Sequence, residues 1–194
     1  MSEITQSNAK AVTNDCPPVP QSIMTASRDE IDVELKICEG HLPDDLQGHI
    51  FFIGPVGTVE SGGLPFKDGD SFLNGDGMVY RLDFDQKGKV TVKTKIAKPL
   101  DYYFDEATKG TKLGFRNHGI LRFSLILGAR NELNTAFLPV KFSQDESERL
   151  LVTYDAGRPY QINTHTLEVT TPVGSNKEWR PEINLPYLFP PIFS

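Results

Sequence analysis

Met78-Val-Tyr-Arg-Leu-Asp-Phe84, Asp85-Gln-Lys-Gly88 and Val90-Thr-Val-Lys-Thr-Lys-Ile96 follow one another along the chain, and together they decide the fold class. In the outer two segments apolar residues return at every second position, which places them on one face of an extended strand. The polar stretch between them is a hairpin loop, with Gly88 taking up the positive φ such a loop needs. The same alternation marks Ile31–Ile37, where Val33, Leu35 and Ile37 are interleaved with Asp32, Glu34 and Lys36. It recurs over Ile50–Ile53, Asn134–Val140, Leu150–Tyr154, Tyr160–Asn163 and Leu167–Thr170. Successive short strands joined by hairpin loops predict an all-β meander, the unit from which a propeller blade is made. No fixed-period signature repeat runs along the chain, so repeats alone do not establish a propeller.

The bulk numbers agree. With 194 residues, 38% of them hydrophobic, the chain can bury a core of its own. Its 16 glycines and 14 prolines favour short strands broken by turns over long helices. A formal net charge of -6 with scattered basic residues argues against a nucleic-acid partner, which needs clustered Lys and Arg facing phosphates. No apolar run reaches membrane-spanning length and no basic-then-apolar leader opens the chain, so the expected location is cytoplasmic. Cys16 and Cys38 are the only cysteines, and neither a structural disulfide nor a two-cysteine zinc site is expected of them.

Residues 1–30 are polar, with Pro17-Pro18-Val19-Pro20 in their midst, and read as a flexible arm. Residues 31–194 form the ordered part. Its last stretch, Trp179–Ser194, combines Pro181, Pro186, Pro190 and Pro191 with Leu185, Tyr187, Leu188, Phe189, Ile192 and Phe193. Such a segment reads as one that crosses beneath something further, and the chain looks cut there.

Few residues carry obvious chemistry. Asn74-Gly-Asp-Gly-Met78 reads as a tight turn feeding a strand. Asp68, Asp70, Asn74 and Asp76 lie close enough in sequence to raise a calcium loop, but a bidentate Glu at the twelfth position and flanking helices are missing. Asp155, within Tyr154-Asp155-Ala-Gly157, is by itself a turn residue. Leu121–Leu127 is an apolar block that suits either a buried element or an amphipathic patch. The four histidines, His41, His49, His118 and His165, form no His-x-x-x-His or His-x-Glu cluster. A hydrolase has little support, since there is no Gly-x-Ser-x-Gly elbow and no histidine placed to serve a nucleophile.

Three segments in order nevertheless carry a resemblance. Leu42-Pro-Asp-Asp-Leu-Gln-Gly48 runs into Phe52-Ile-Gly-Pro55. Asn74-Gly-Asp-Gly-Met-Val-Tyr80 follows, and then Asn134-Thr135 with Leu150-Leu-Val-Thr-Tyr-Asp155. This series resembles the N-terminal part of the carotenoid cleavage oxygenases.

The resemblance implies a seven-bladed β-propeller carrying non-haem Fe(II) on four histidines. It implies oxidative cleavage, by O2, of a conjugated C=C bond in a lipophilic polyene or stilbene-type substrate. The chain would supply the first two to three blades. Thr135 matches a residue that stands near the iron, and Asp155 matches a Glu that accepts the second N–H of a ligand histidine, one methylene shorter here. Leu73 and Phe115 match positions that line the substrate tunnel, and Leu121–Leu127 falls where relatives place a membrane-facing patch. The departures are Leu73 for a family Phe, and Phe52-Ile53 where relatives carry Arg-Asn before Gly-Pro. The first ligand histidine of relatives lies in an Ala-His-Pro segment beyond the region matching Ser194. The chain alone is therefore expected to hold no iron tightly and to be inactive. A non-enzymatic β-meander binding module is the rival reading.

Overall fold

The structure is a computed structural model, and it describes residues 26–56, 75–108, 111, 123–124, 128–144, 147–155, 157–175 and 178. Two four-stranded antiparallel sheets dominate it. The first is built from β1 (Asp32–Leu35), β2 (His49–Val56), β3 (Asp76–Asp83) and β4 (Val90–Ile96), in the order β1-β4-β3-β2. A helix, α1 (Leu100–Thr108), follows β4, and β5 (Phe123–Ser124) pairs with β6 (Gly128–Ala129). The second large sheet holds β7 (Ala136–Val140), β8 (Arg149–Tyr154), β9 (Gly157–Ile162) and β10 (Val169–Pro172), a simple meander in the order β10-β9-β8-β7.

The decisive hairpin forms as its sequence predicts. β4 spans Val90–Ile96 and pairs with β3 from Met78↔Ile96 to Asp83↔Thr91. Gly88 turns the chain at a φ of 73°, and Lys89 N donates to Gln86 O at 2.9 Å. The remaining strands agree with the alternation to within a few residues. β2 runs longer than its apolar core, because pairing with β3 continues from His49↔Asp83 to Val56↔Asp76. Within the stretch read as an arm, the described residues are tied down: Thr94 Oγ1 donates to Asp29 O at 3.1 Å, and Arg28 reaches Asp76.

Alternation assigns each side chain a face. Phe51, Ile53 and Val79 point toward the second sheet, where they meet Phe137, Leu150, Val152, Tyr160 and Ile162 in one core with Ala97, Leu133 and Leu167. Phe51 and Phe137 touch edge to face, with centroids 6.2 Å apart. The opposite face of the first sheet is apolar as well. Val33, Val92, Leu82 and Ile50 lie in one cross-strand row, and Tyr80 stacks on Phe52 at 4.7 Å in the next. Val33, Ile50 and Phe52 are 45%, 51% and 44% exposed. Residues directly across strands share a face, so this outer row is apolar throughout, buried at Val92 in its centre and open at its two ends.

The helix α1 is the element that strand periodicity does not reveal. It begins immediately after Pro99, and Asp101 stands in its first turn, where a carboxylate suits the positive helix end. Asp101 and Asp105, four residues apart, share one face and are both buried. Among the described residues no helix is long and apolar enough to cross a membrane.

Candidate functional site

The two motifs around Asp76 and Thr135 meet in space. Residues Arg130, Asn131, Glu132 and Leu133 are each at most 4% exposed, and this buried segment runs against the start of β3. Gly77 N donates to Glu132 O at 2.8 Å, and Asn134 Nδ2 donates to Gly75 O at 2.8 Å. The approach explains the glycines of Asn74-Gly75-Asp76-Gly77. A Cβ on Gly77 would lie 2.0 Å from Leu133 O, and one on Gly75 would lie 2.7 Å from the Val56 backbone. Leu133 itself takes a φ of 48°, a left-handed conformation that a β-carbon resists and that tight packing must enforce.

Beyond Asn134 the chain enters β7, and Thr135 N donates to Thr153 O at 3.2 Å. Thr153 Oγ1 returns a bond to Ala136 O at 3.1 Å. The β8–β9 ladder is irregular between Val152 and Tyr154, and Asp155 sits in the turn that follows. Thr135 and Asp155 are both exposed and stand at the same end of the second sheet. The start of β3 lies at that end too. The structure thus brings Thr135, Asp155 and the Gly75–Gly77 segment to one end of the sheets, although 80 positions separate Gly75 from Asp155. Leu73 and Phe115, the expected tunnel residues, lie outside the described residues, as do His118 and most of Leu121–Leu127.

A buried ionic network holds this end together. Arg130 Nε donates to Asp101 Oδ2 at 3.2 Å, and its two terminal nitrogens face Asp105 and, at 3.6 Å, Asp76. Asp76 also receives Arg28 Nη1 at 2.8 Å. Asn131 N donates to the same Asp101 oxygen, and Asn131 Nδ2 reaches Arg158 O at 2.7 Å on β9. Burial pushes the Asp101 carboxyl up from the ordinary carboxylate range, against the pull of Arg130 and of the Asn131 N–H. Asp76 is therefore a structural anchor, which disposes of its place in a calcium loop. Sequence reasoning missed Asp101, Asp105 and Arg130, and the i, i+4 spacing of the two aspartates was the one signal that could have found them.

The described histidines stand elsewhere. His49 opens β2, and His165 lies in the β9–β10 loop, both at the opposite end of the sheets from Thr135 and Asp155. His165 is exposed, its backbone N–H bonded to Asn163 Oδ1 at 2.8 Å. His41 is exposed in the β1–β2 connection. His49 is exposed as well, with Asp83 and Asp85 flanking its ring. A four-histidine iron site needs imidazoles converging on one point. Among the described residues the only group of three potential metal ligands contains a single histidine, so these residues do not fit that donor set.

Comparison with known proteins places this architecture. The model of the retinal pigment epithelial membrane protein family matches residues 24–183. The apocarotenoid-15,15'-oxygenase of Synechocystis sp. is 30% identical over 145 residues, which cover 71% of this chain and 27% of that protein. A solved Synechocystis apocarotenoid oxygenase carrying a glutamate-to-aspartate substitution superposes with a TM-score of 0.57 at 26% identity, over 78% of this chain and 30% of its own. A threonine-to-alanine form of the same enzyme gives 0.57 and 26% over 77% and 30%. The chain thus spans less than a third of the length of these relatives. It belongs to the carotenoid oxygenase family, the family of the retinal pigment epithelial membrane protein.

Proposed function

We propose that this chain is the N-terminal part of a non-haem Fe(II) dioxygenase, one that splits a conjugated C=C bond of a carotenoid, apocarotenoid or stilbene-type substrate. Both atoms of O2 would enter the products, leaving one carbonyl on each fragment. The two sheets would be the first blades of a seven-bladed propeller. Family membership supports the activity, and the relatives named as apocarotenoid oxygenases support the substrate class. A cobalt-substituted form among the matching structures is in keeping with a metal enzyme. The observation that carries the reading at residue level is the Thr135–Thr153 hydrogen bond, which sets Thr135 beside the strand leading into Asp155.

The part of this chain is positional. Asp155 would accept the free N–H of a ligand imidazole supplied from outside the described residues, fixing its tautomer and raising its basicity. Thr135 would narrow the space beside the metal, and Leu73 and Phe115 would form tunnel wall. The donor set is missing among the described residues, so no chemical step is assigned to the chain alone. The Leu121–Leu127 block would touch a membrane surface, which flotation with liposomes tests directly.

The experiment is iron quantification and O2-dependent cleavage by the purified 194-residue chain, with an apocarotenoid and Fe(II) supplied. The expected result is no stoichiometric iron and no aldehyde product. Retained iron together with cleavage overturns the positional role. The second reading, a binding module, draws on the exposed apolar residues Val33, Ile50 and Phe52 of the first sheet's edge strands. It gains if the chain alone is monomeric and unfolds cooperatively.

A further inference from the structure

His49 lies between two aspartates at the open end of the β2–β3 pair, remote from Thr135 and Asp155. Its Nδ1 is 3.5 Å from Asp83 Oδ2, and its Nε2 is 3.5 Å from Asp85 Oδ2. Both carboxylates are oriented by the backbone. Asp85 Oδ1 accepts from Gly48 N at 3.1 Å, and Asp83 Oδ1 accepts from Asp85 N at 3.0 Å. Each aspartate therefore spends one oxygen on the main chain and turns the other to the imidazole. The loop that brings them there is itself pinned, with Phe84 N donating to Gly48 O at 3.0 Å.

The two sides of the ring differ in what else faces each carboxylate, not in distance. At 3.5 Å neither contact is a closed charge-assisted N–H···O bond of about 2.8 Å. Two ligand atoms at neighbouring corners of a zinc tetrahedron, with bonds near 2.05 Å, stand about 3.4 Å apart. The Nε2–Asp85 separation is that of such an edge. The Nδ1 side is different, because Arg81 Nη2 lies 3.3 Å from the same Asp83 oxygen. A carboxylate already facing a guanidinium is a poor ligand and a good acceptor for an imidazole N–H. Metal-bound histidines are commonly held in that way.

We infer that His49, Asp83 and Asp85 form a binding site for a divalent ion of the Zn2+ class. His49 Nε2 and Asp85 Oδ2 are the protein ligands, water completes the shell, and Asp83 accepts the Nδ1–H. The imidazole favours a Zn2+-class ion over Ca2+ and Mg2+, which prefer oxygen ligands, and separates this group from ordinary solvated carboxylates. The site is independent of the oxygenase reading, since it uses no residue from the Thr135 end.

The test uses the 15N-labelled 194-residue chain, stripped with a chelator and titrated with Zn2+ alone while the imidazole nitrogens are followed by NMR. The first equivalent should lock His49 as the Nδ1–H tautomer with a ligated Nε2, whereas Ca2+ or Mg2+ leaves it unchanged. Asp83→Asn should weaken binding about tenfold, and His49→Ala should remove the site. Should His49→Ala fail to fold, Asp85→Asn decides, because its amide oxygen still accepts from Gly48 N while the anionic ligand is gone. The inference is overturned if His49 does not respond to the first equivalent. It is overturned equally if Asp85→Asn binds as the parent does, or if Ca2+ or Mg2+ produces the same change.

Discussion

Arg130 and Asp101 face each other at 3.2 Å with almost no access to water, and this contact joins α1 to the segment that leads into Thr135. A buried ion pair gains little over an apolar pair of equal shape, but breaking one by removing a single partner is costly. Arg130 also neutralises Asp105 and Asp76. Arg130→Ala should therefore lower stability by about 3–5 kcal/mol, read as a shift in urea midpoint. Asp101→Asn should cost clearly less, because the amide oxygen still accepts from Asn131 N and the carboxyl is already disfavoured as an anion by burial. Equal losses in the two variants would refute the asymmetric account of the network.

Gly77→Ala tests the crossing of β3 with the 132–134 backbone. The new carbon would meet a carbonyl oxygen that cannot step aside without moving Thr135. A loss of about 3 kcal/mol or more is expected, in the range of severe backbone conflicts. Gly54→Ala is the control on β2, where a Cβ meets nothing within 4 Å. It should be within about 0.5 kcal/mol of the parent. Thermal unfolding of the pair side by side gives the comparison.

Glu30 and Lys98 supply a pH dependence of known sign. Partial burial opposes the charge on Glu30, but the Lys98 ammonium at 2.8 Å, the Ile96 N–H and Lys95 together hold its carboxyl below the ordinary value of 4.5. Burial likewise opposes the Lys98 charge, yet Glu30 raises that ammonium above its ordinary 10.5. A lowered acid contributes stability above its unfolded value and loses it as pH falls through the folded one; a raised base does so below its unfolded value and loses it as pH rises. The pair is thus fully effective between 4.5 and 10.5. Glu30→Gln should cost about 0.5 kcal/mol in that window, with the difference from the parent vanishing in acid. A difference that persists unchanged at pH 2 to 3 would show that the contact is not electrostatic.

Phe52→Ser probes the outer face of the first sheet. The variant loses the Tyr80 stack, worth about 1 kcal/mol, while it removes one of the larger exposed apolar groups. Fluorescence of a hydrophobic dye bound to the folded protein should fall. Unchanged dye binding would mean that the exposed apolar residues do not act as one surface.

The sequence made the strands legible because a half-buried strand writes its burial as an alternation of residue types. Val90–Ile96 shows it most cleanly, alternating buried and partly buried positions from end to end. Thr135 and Asp155 are singled out only by resemblance and remain proposed site residues, since both are exposed turn or strand-end residues with no local mark of function. What stayed hidden was the polar core. Arg130-Asn131-Glu132 looks like a solvated loop, and only the arrival of α1 and β3 from elsewhere in the chain turns it into the interior. The positive φ at Leu133 was equally invisible, because packing rather than residue type imposes it.

The outer face of the first sheet is covered unevenly. Its centre, Met78, Val90, Val92 and Ile96, is buried, while Val33 on β1 and Ile50 and Phe52 on β2 stand open at the two edges. Any folding free energy measured on this chain then includes a linkage to whatever rests on those edges, be it detergent, dye or another molecule. The midpoint of a melt should move with the concentration of such an additive.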